Sequence, residues 1–122
     1  MKPAEGNVIV VKSKTFAIRC VRPRKYLLAE KHEYDLSRQL LRSGTSIGAN
    51  VKEAIRGQTR PDFGSKMNTA LKEASESEYW IELLQETEYI SWEQGDSLLA
   101  DCRELIKLLT SIVKSTFNPP TA

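Results

Sequence analysis

A chain of 122 residues, 40% of them hydrophobic and 28% charged, has the length and composition of one soluble globular domain, which excludes wholesale disorder. Its two cysteines, Cys20 and Cys102, are too few for a disulfide framework and fit no metal-ligand spacing, so a reduced, cytoplasmic setting is expected. The net charge of +2 hides an asymmetry: residues 1–60 carry 13 Lys and Arg against 5 acids, and residues 61–122 carry 5 against 11. Either the two halves pack against each other, within a molecule or between copies, or the basic half offers a surface to nucleic acid.

The first apolar run, Val8-Ile9-Val10-Val11, holds the only strand signal and falls far short of the ~20 residues a membrane helix needs. No membrane association is expected. From there the periodicity predicts four helices, near 13–31, 34–56, 60–90 and 92–117, within a single domain spanning residues 1–122. Short connections make neighbours antiparallel, so the expected fold is all-α, an antiparallel up-and-down four-helix bundle. Pro23 lies inside the first helix and lacks a backbone N–H, so it either kinks that helix or ends it at Arg22.

The second helix divides cleanly at about 100° per residue. Leu36, Leu40, Ile47, Val51 and Ala54 share one side, and Arg38, Arg42, Lys52 and Arg56 share the other. Gly44 and Gly48 lie on one flank, where they would let a neighbouring helix approach closely. Gly57 marks the end of this helix, and Thr59-Arg60-Pro61-Asp62 marks the start of the third with a capping hydroxyl and a proline in the first turn.

Along the third helix, Phe63, Met67, Ala70, Ala74, Ser77, Ile81 and Leu84 recur in steps of three and four, the spacing of a bundle seam. A second apolar set, Tyr79, Trp80, Leu83 and Ile90, falls away from that seam. It reads either as scattered surface hydrophobes or as a contact with another copy of the chain. Ser91-Trp92-Glu93-Gln94 is a capping box that opens the fourth helix, whose apolar residues from Leu98 to Phe117 cover about half its circumference. The tail Asn118 to Ala122, with two prolines, is expected to fray.

Catalytic machinery is missing from this inventory. The one histidine, His32, sits among Glu30, Lys31 and Glu33, and a di-iron bundle needs a Glu-x-x-His motif on each of two helices. Cys20 and Cys102 lie on apolar faces, where a buried, inert thiol is the default. The segment from Gly57 to Lys66 lacks both the Gly-Lys pair and the preceding strand of a phosphate-binding loop. The expectation is a non-enzymatic protein with no cofactor and no metal.

The run Ser37-Arg38-Gln39-Leu40-Leu41-Arg42-Ser43-Gly44-Thr45-Ser46-Ile47-Gly48-Ala49-Asn50-Val51-Lys52-Glu53-Ala54, with Asp62-Phe63, Ala70-Leu71-Lys72-Glu73-Ala74 and Glu78-Tyr79-Trp80-Ile81-Glu82-Leu83-Leu84, closely resembles the bacterial four-helix-bundle proteins called 23S rRNA intervening-sequence proteins. The likeness runs from about Ser13 to the end of the fourth helix, departing from the family at Pro23 and Gly64. It implies an up-and-down bundle assembled as a homo-oligomer, often a pentamer. It also implies a relationship to the accessory proteins of diversity-generating retroelements, which bind a reverse transcriptase and nucleic acid.

Two functions are therefore expected to compete. The first is an oligomeric scaffold that binds RNA or DNA backbone without reading sequence, through Arg38, Arg42, Lys52 and Arg56, with help from Arg19, Arg22, Arg24 and Lys25. The second is an oligomeric protein-interaction module, meeting copies of itself through Tyr79, Trp80, Leu83 and Ile90 and binding no nucleic acid.

Overall fold

The computed structural model describes residues 4–119. Four helices follow one another: α1 (Ala4–Lys31), α2 (Asp35–Ile55), α3 (Arg60–Glu86) and α4 (Trp92–Phe117). Each packs on its neighbour in sequence, and α1 meets α4 along a much thinner seam, closing an up-and-down bundle with no strand among the described residues. The core runs along the axis and is built from Ile9, Phe16 and Leu27 of α1, Leu40, Ile47 and Val51 of α2, Met67, Ile81 and Leu84 of α3, and Leu105 and Leu109 of α4.

Helix α1 starts at Ala4 rather than near Ser13, so the β-branched run Val8 to Val11 is helical. Intrinsic propensity is a weak preference that tertiary burial overrides, and Ile9 inside this run is fully buried. The helix also continues through Pro23 to Lys31, which removes the alternative of a break at Arg22. Leu27, beyond the proline, is sealed in the core. Burying a leucine contributes about 1.5–3 kcal/mol, enough to offset much of the ~3 kcal/mol that an interior proline costs.

The connections are fixed by local chemistry. Between α1 and α2, His32 takes a left-handed φ of 52°. The Glu33 carboxylate then accepts from the backbone N–H groups of Asp35, Leu36 and Ser37 at 3.1, 2.9 and 2.7 Å, satisfying the first orphan donors of α2. Thr59 Oγ1 accepts from Asp62 N at 3.1 Å and caps α3, which has Pro61 in its first turn. Gly57 N–H donates to Ala54 O at 2.9 Å just past the end of α2, without adopting a positive φ.

Helix α3 ends at Glu86, short of the expected residue 90, because Glu88 turns left-handed with φ 66°. Tyr89 N donates to Leu84 O and Glu88 N to Gln85 O, the paired bonds of a Schellman ending built on a glutamate where glycine is usual. Ser91 and Gln94 then form the reciprocal capping box of α4. Buried Gln85 ties the two helices together, its Nε2 donating to Trp92 O and Asp96 Oδ1, both at 2.9 Å.

The two glycines of α2 turn out to have different roles. A Cβ on Gly44 would lie 2.5 Å from Cys20 Sγ and 3.1 Å from Cys20 Cβ, so α1 rests directly on the bare α2 backbone there. A Cβ on Gly48 would meet nothing nearer than Ser13 Oγ at 3.5 Å, an ordinary contact. Gly44→Ala is therefore expected to destabilise by about 1–2 kcal/mol, overpacking outweighing the helix-propensity gain. Gly48→Ala is expected to be neutral or to stabilise by up to about 1 kcal/mol. Urea-unfolding midpoints of the two variants, moving in opposite directions from wild type, are the check.

Candidate interaction surface

The basic stripe expected along α2 divides into two parts. Arg42 is engaged within the chain: Nη1 lies 3.4 Å from Glu73 Oε1 and Nη2 hydrogen-bonds Glu76 Oε2, both acids belonging to α3. The Arg42 hydrogen bond, joined by one from the Trp80 indole N–H at 3.1 Å, holds the Glu76 carboxyl below its usual range. Arg38 lies 3.6 Å from Asp35, an exposed pair on the same helix. Lys52 and Arg56, at the far end of the stripe, have no acid within ion-pair distance among the described residues.

Lys52 and Arg56 instead join Lys14 of α1 in lining a cleft of about 500 Å³ between α1 and α2, together with Val10, Ala17 and Ile55. The other α1 cations do not extend this cluster uniformly. Arg19 is drawn across to α4, where it donates to Ser97 O at 3.2 Å and Ser97 Oγ at 2.9 Å and pairs with Asp101 at 2.6 Å. Arg22 borders a second cleft, with Pro23, Tyr26, Ile90 and Leu98, between α1 and the start of α4. Lys25 is exposed, and Arg24 is half-buried.

The four residues expected at an oligomer contact are also dispersed. Ile90 lies beyond α3, in the connection to α4, and is only 5% exposed; this corrects its placement on an outer stripe, because it packs into the core. Trp80 packs partly against the core, and Leu83 is half-buried. Tyr79 is 54% exposed, its ring set edge-on to Trp80 with centroids 5.2 Å apart.

The larger exposed apolar row lies on α1, which the sequence reading passed over. Val11 is 62% and Ile18 46% exposed, with Val8, Val10 and Val21 also on the surface. At 100° per residue, Val11 and Ile18 fall within about 20° of the direction opposite Ile9 and Leu27, so α1 is apolar on two sides. The signal was present in the Val8 to Val11 run. It becomes legible only once the helix is extended back to include those residues.

Burial pushes the thiols of Cys20 and Cys102 up to about 12, so both stay protonated at neutral pH, and Cys102 Sγ donates to Ala74 O at 3.2 Å. Among the described residues no group of three or more His, Cys, Asp or Glu side chains is placed to hold a metal ion. No described helix is long and apolar enough to cross a membrane.

The fold is an all-α four-helix bundle, with exposed apolar residues along its first helix. The chain belongs to the 23S rRNA-intervening sequence protein family, whose model matches residues 5–111. Among solved structures it is similar to a protein of unknown function from the S23 ribosomal protein family of Bacteroides thetaiotaomicron VPI-5482, at 54% identity and a TM-score of 0.88. That match covers 90% of this chain and 98% of the other. No curated protein matches the chain.

Proposed function

We propose that the chain is a non-enzymatic scaffold that works as a homo-oligomer, with the outer row of α1 as its assembly surface. The observation that carries this reading is a helix apolar on both sides, with Ile9, Phe16 and Leu27 facing inward and Val11, Ile18 and Val21 left in water. Scattered exposed hydrophobes are ordinary in monomers, and a row of them along one helix, here interleaved with Lys14 and Lys25, supports the reading of a contact surface. A second copy is the occupant that the charge distribution favours, since each copy brings a basic half and an acidic half. A closed ring, such as the pentamer the family resemblance implies, follows if the contact repeats by rotation. Light scattering coupled to gel filtration tests the reading. A stable particle of 13.8 kDa at micromolar concentration would overturn it.

Binding of RNA or DNA backbone is the second reading, favoured by the absence of acidic partners for Lys52 and Arg56 among the described residues. With Arg42 engaged by Glu73 and Glu76, it rests on the Lys14, Lys52 and Arg56 cluster instead of the whole stripe. Log affinity for labelled RNA should then fall linearly with log salt, with a slope of about 3 or less for three phosphates neutralised. A Lys14, Lys52, Arg56 triple glutamine variant should lose that dependence.

A further inference from the structure

Two surface features remain unused by the fold of a single chain, and they are complementary. One is the cleft between α1 and α2, lined by the apolar Val10, Ala17 and Ile55 and by the three cations Lys14, Lys52 and Arg56. Gly48 lines it, and α1–α2 packing does not require that glycine, since a methyl group would fit; the bare backbone leaves the cleft open. The other is the turn from α3 into α4. Glu86, Glu88 and Glu93 are exposed there, with no cation at ion-pair distance among the described residues. Trp92 stands among them, 58% exposed.

Tryptophan is usually well buried, and when exposed beside charges it is the side chain most enriched at the energetic centres of protein interfaces. This one is also preorganised. Its carbonyl is held by Gln85 Nε2 at 2.9 Å, and its helix start is fixed by the Ser91–Gln94 capping box. Little backbone ordering entropy remains to be lost there on docking. The two features cannot meet within one molecule, because the cleft lies toward the end where α2 stops at Ile55, whereas the turn joins α3 and α4 at the opposite end. Helices of this length are roughly 40 Å long.

We infer that the acidic Trp92 turn of one copy docks in the Lys14, Lys52 and Arg56 cleft of the next, giving a head-to-tail interface. This inference rests on the oligomeric reading above and adds to it a contact separate from Val11, Ile18 and Val21, none of which lines the cleft. Trp92 covers the apolar residues of the cleft while Glu86, Glu88 and Glu93 meet the three cations. An interface of two different patches leaves one free cleft and one free turn on every open chain of copies, so it closes only as a ring.

Sedimentation and light scattering test it with charge reversal. Lys52→Glu/Arg56→Glu and Glu88→Lys/Glu93→Lys, each alone, should weaken assembly at least tenfold, and mixing the two variants should restore association between them, because the cleft of each variant then meets a turn of opposite sign on the other. An odd-membered ring keeps one like-charged junction, so the readout is hetero-association of the two variants and not ring closure. Restoration also shows that both variants are folded. The Trp92 emission, taken as the difference between wild type and Trp92→Phe, should shift to the blue on assembly, and Trp92→Ser should dissociate the protein. A wild type that assembles while all these variants assemble equally, with Trp92 still solvent-exposed, would overturn the docking inference and leave the scaffold reading standing. A monomeric wild type would overturn the scaffold reading itself. Cleft variants that lose RNA binding but not assembly would give the cleft to nucleic acid and overturn the inference.

Discussion

Ile18→Asp is expected to leave a folded monomer of 13.8 kDa where the wild type runs as an oligomer. Ile18 is 46% exposed in the isolated chain, so the substitution removes little core packing and helical circular dichroism should be unchanged. In an assembly that buries the outer row of α1, the same carboxylate loses its water and finds no partner, at a cost of several kcal/mol. Each 1.4 kcal/mol is tenfold in affinity, so the loss should exceed a hundredfold. Tyr79→Asp serves as the contrast. If it dissociates the protein and Ile18→Asp does not, the assembly surface lies on α3. Trp80 is a poor probe for this purpose, because it packs against the core and bonds Glu76, so its replacement disturbs the fold as well.

Ile81→Ala is expected to lower the unfolding free energy by about 2–5 kcal/mol, the range for truncating a fully buried aliphatic side chain. Ile81 has no exposed surface and lies on the α3 face buried in the bundle between Ser77 and Leu84. Helix α3 is packed extensively by both α2 and α4, so the surrounding backbone has little freedom to collapse into the space left behind. Transfer and cavity contributions should both appear. The measurement is the urea midpoint, shifted at constant m-value. A loss below about 1 kcal/mol would mean that the seam is loosely packed and the register assigned to α3 is incorrect.

What the sequence made legible was whatever depends on one helix at a time. The inner face of α2 was readable because Leu40, Ile47, Val51 and Ala54 alternate with charges at helical spacing, and all four are buried. The seam of α3 from Met67 to Leu84 was readable for the same reason. The caps at Thr59 and Ser91 were readable because the hydroxyl and its backbone partner lie three residues apart. Boundaries set by less usual chemistry were not. Glu33 caps α2 from outside the small set of usual capping residues, and Glu88 ends α3 in a conformation that no glycine announces.

Contacts between helices were further out of reach. Which acid meets Arg42 depends on how far α2 has slid along α3, and neither helix encodes that offset alone. The stripe that looked uniform on a helical wheel is therefore half engaged by Glu73, Glu76 and Asp35 and half left in water at Lys52 and Arg56. The outer row of α1 was hidden by an error of a different kind. Reading Val8 to Val11 for its β-branched residues shortened the helix and removed the first turns of the pattern.

The thin seam between α1 and α4 bears on motion as well as on shape. Across it run Arg19 to Ser97 and Asp101 and, further along, Lys12 to Glu104 at 3.2 Å, all near the surface, where dissolved ions screen such pairs. Helix α1 is thus anchored firmly on one side only, by the close approach at Gly44. Its lowest-energy excursion is a partial unfolding in which it peels from α4 while α2, α3 and α4 remain packed. Amide protons of α1 should then exchange with solvent before those of α3, and sooner at high ionic strength. Oligomerisation on the outer face of α1 would slow that exchange, coupling the local breathing of each copy to the presence of its neighbours.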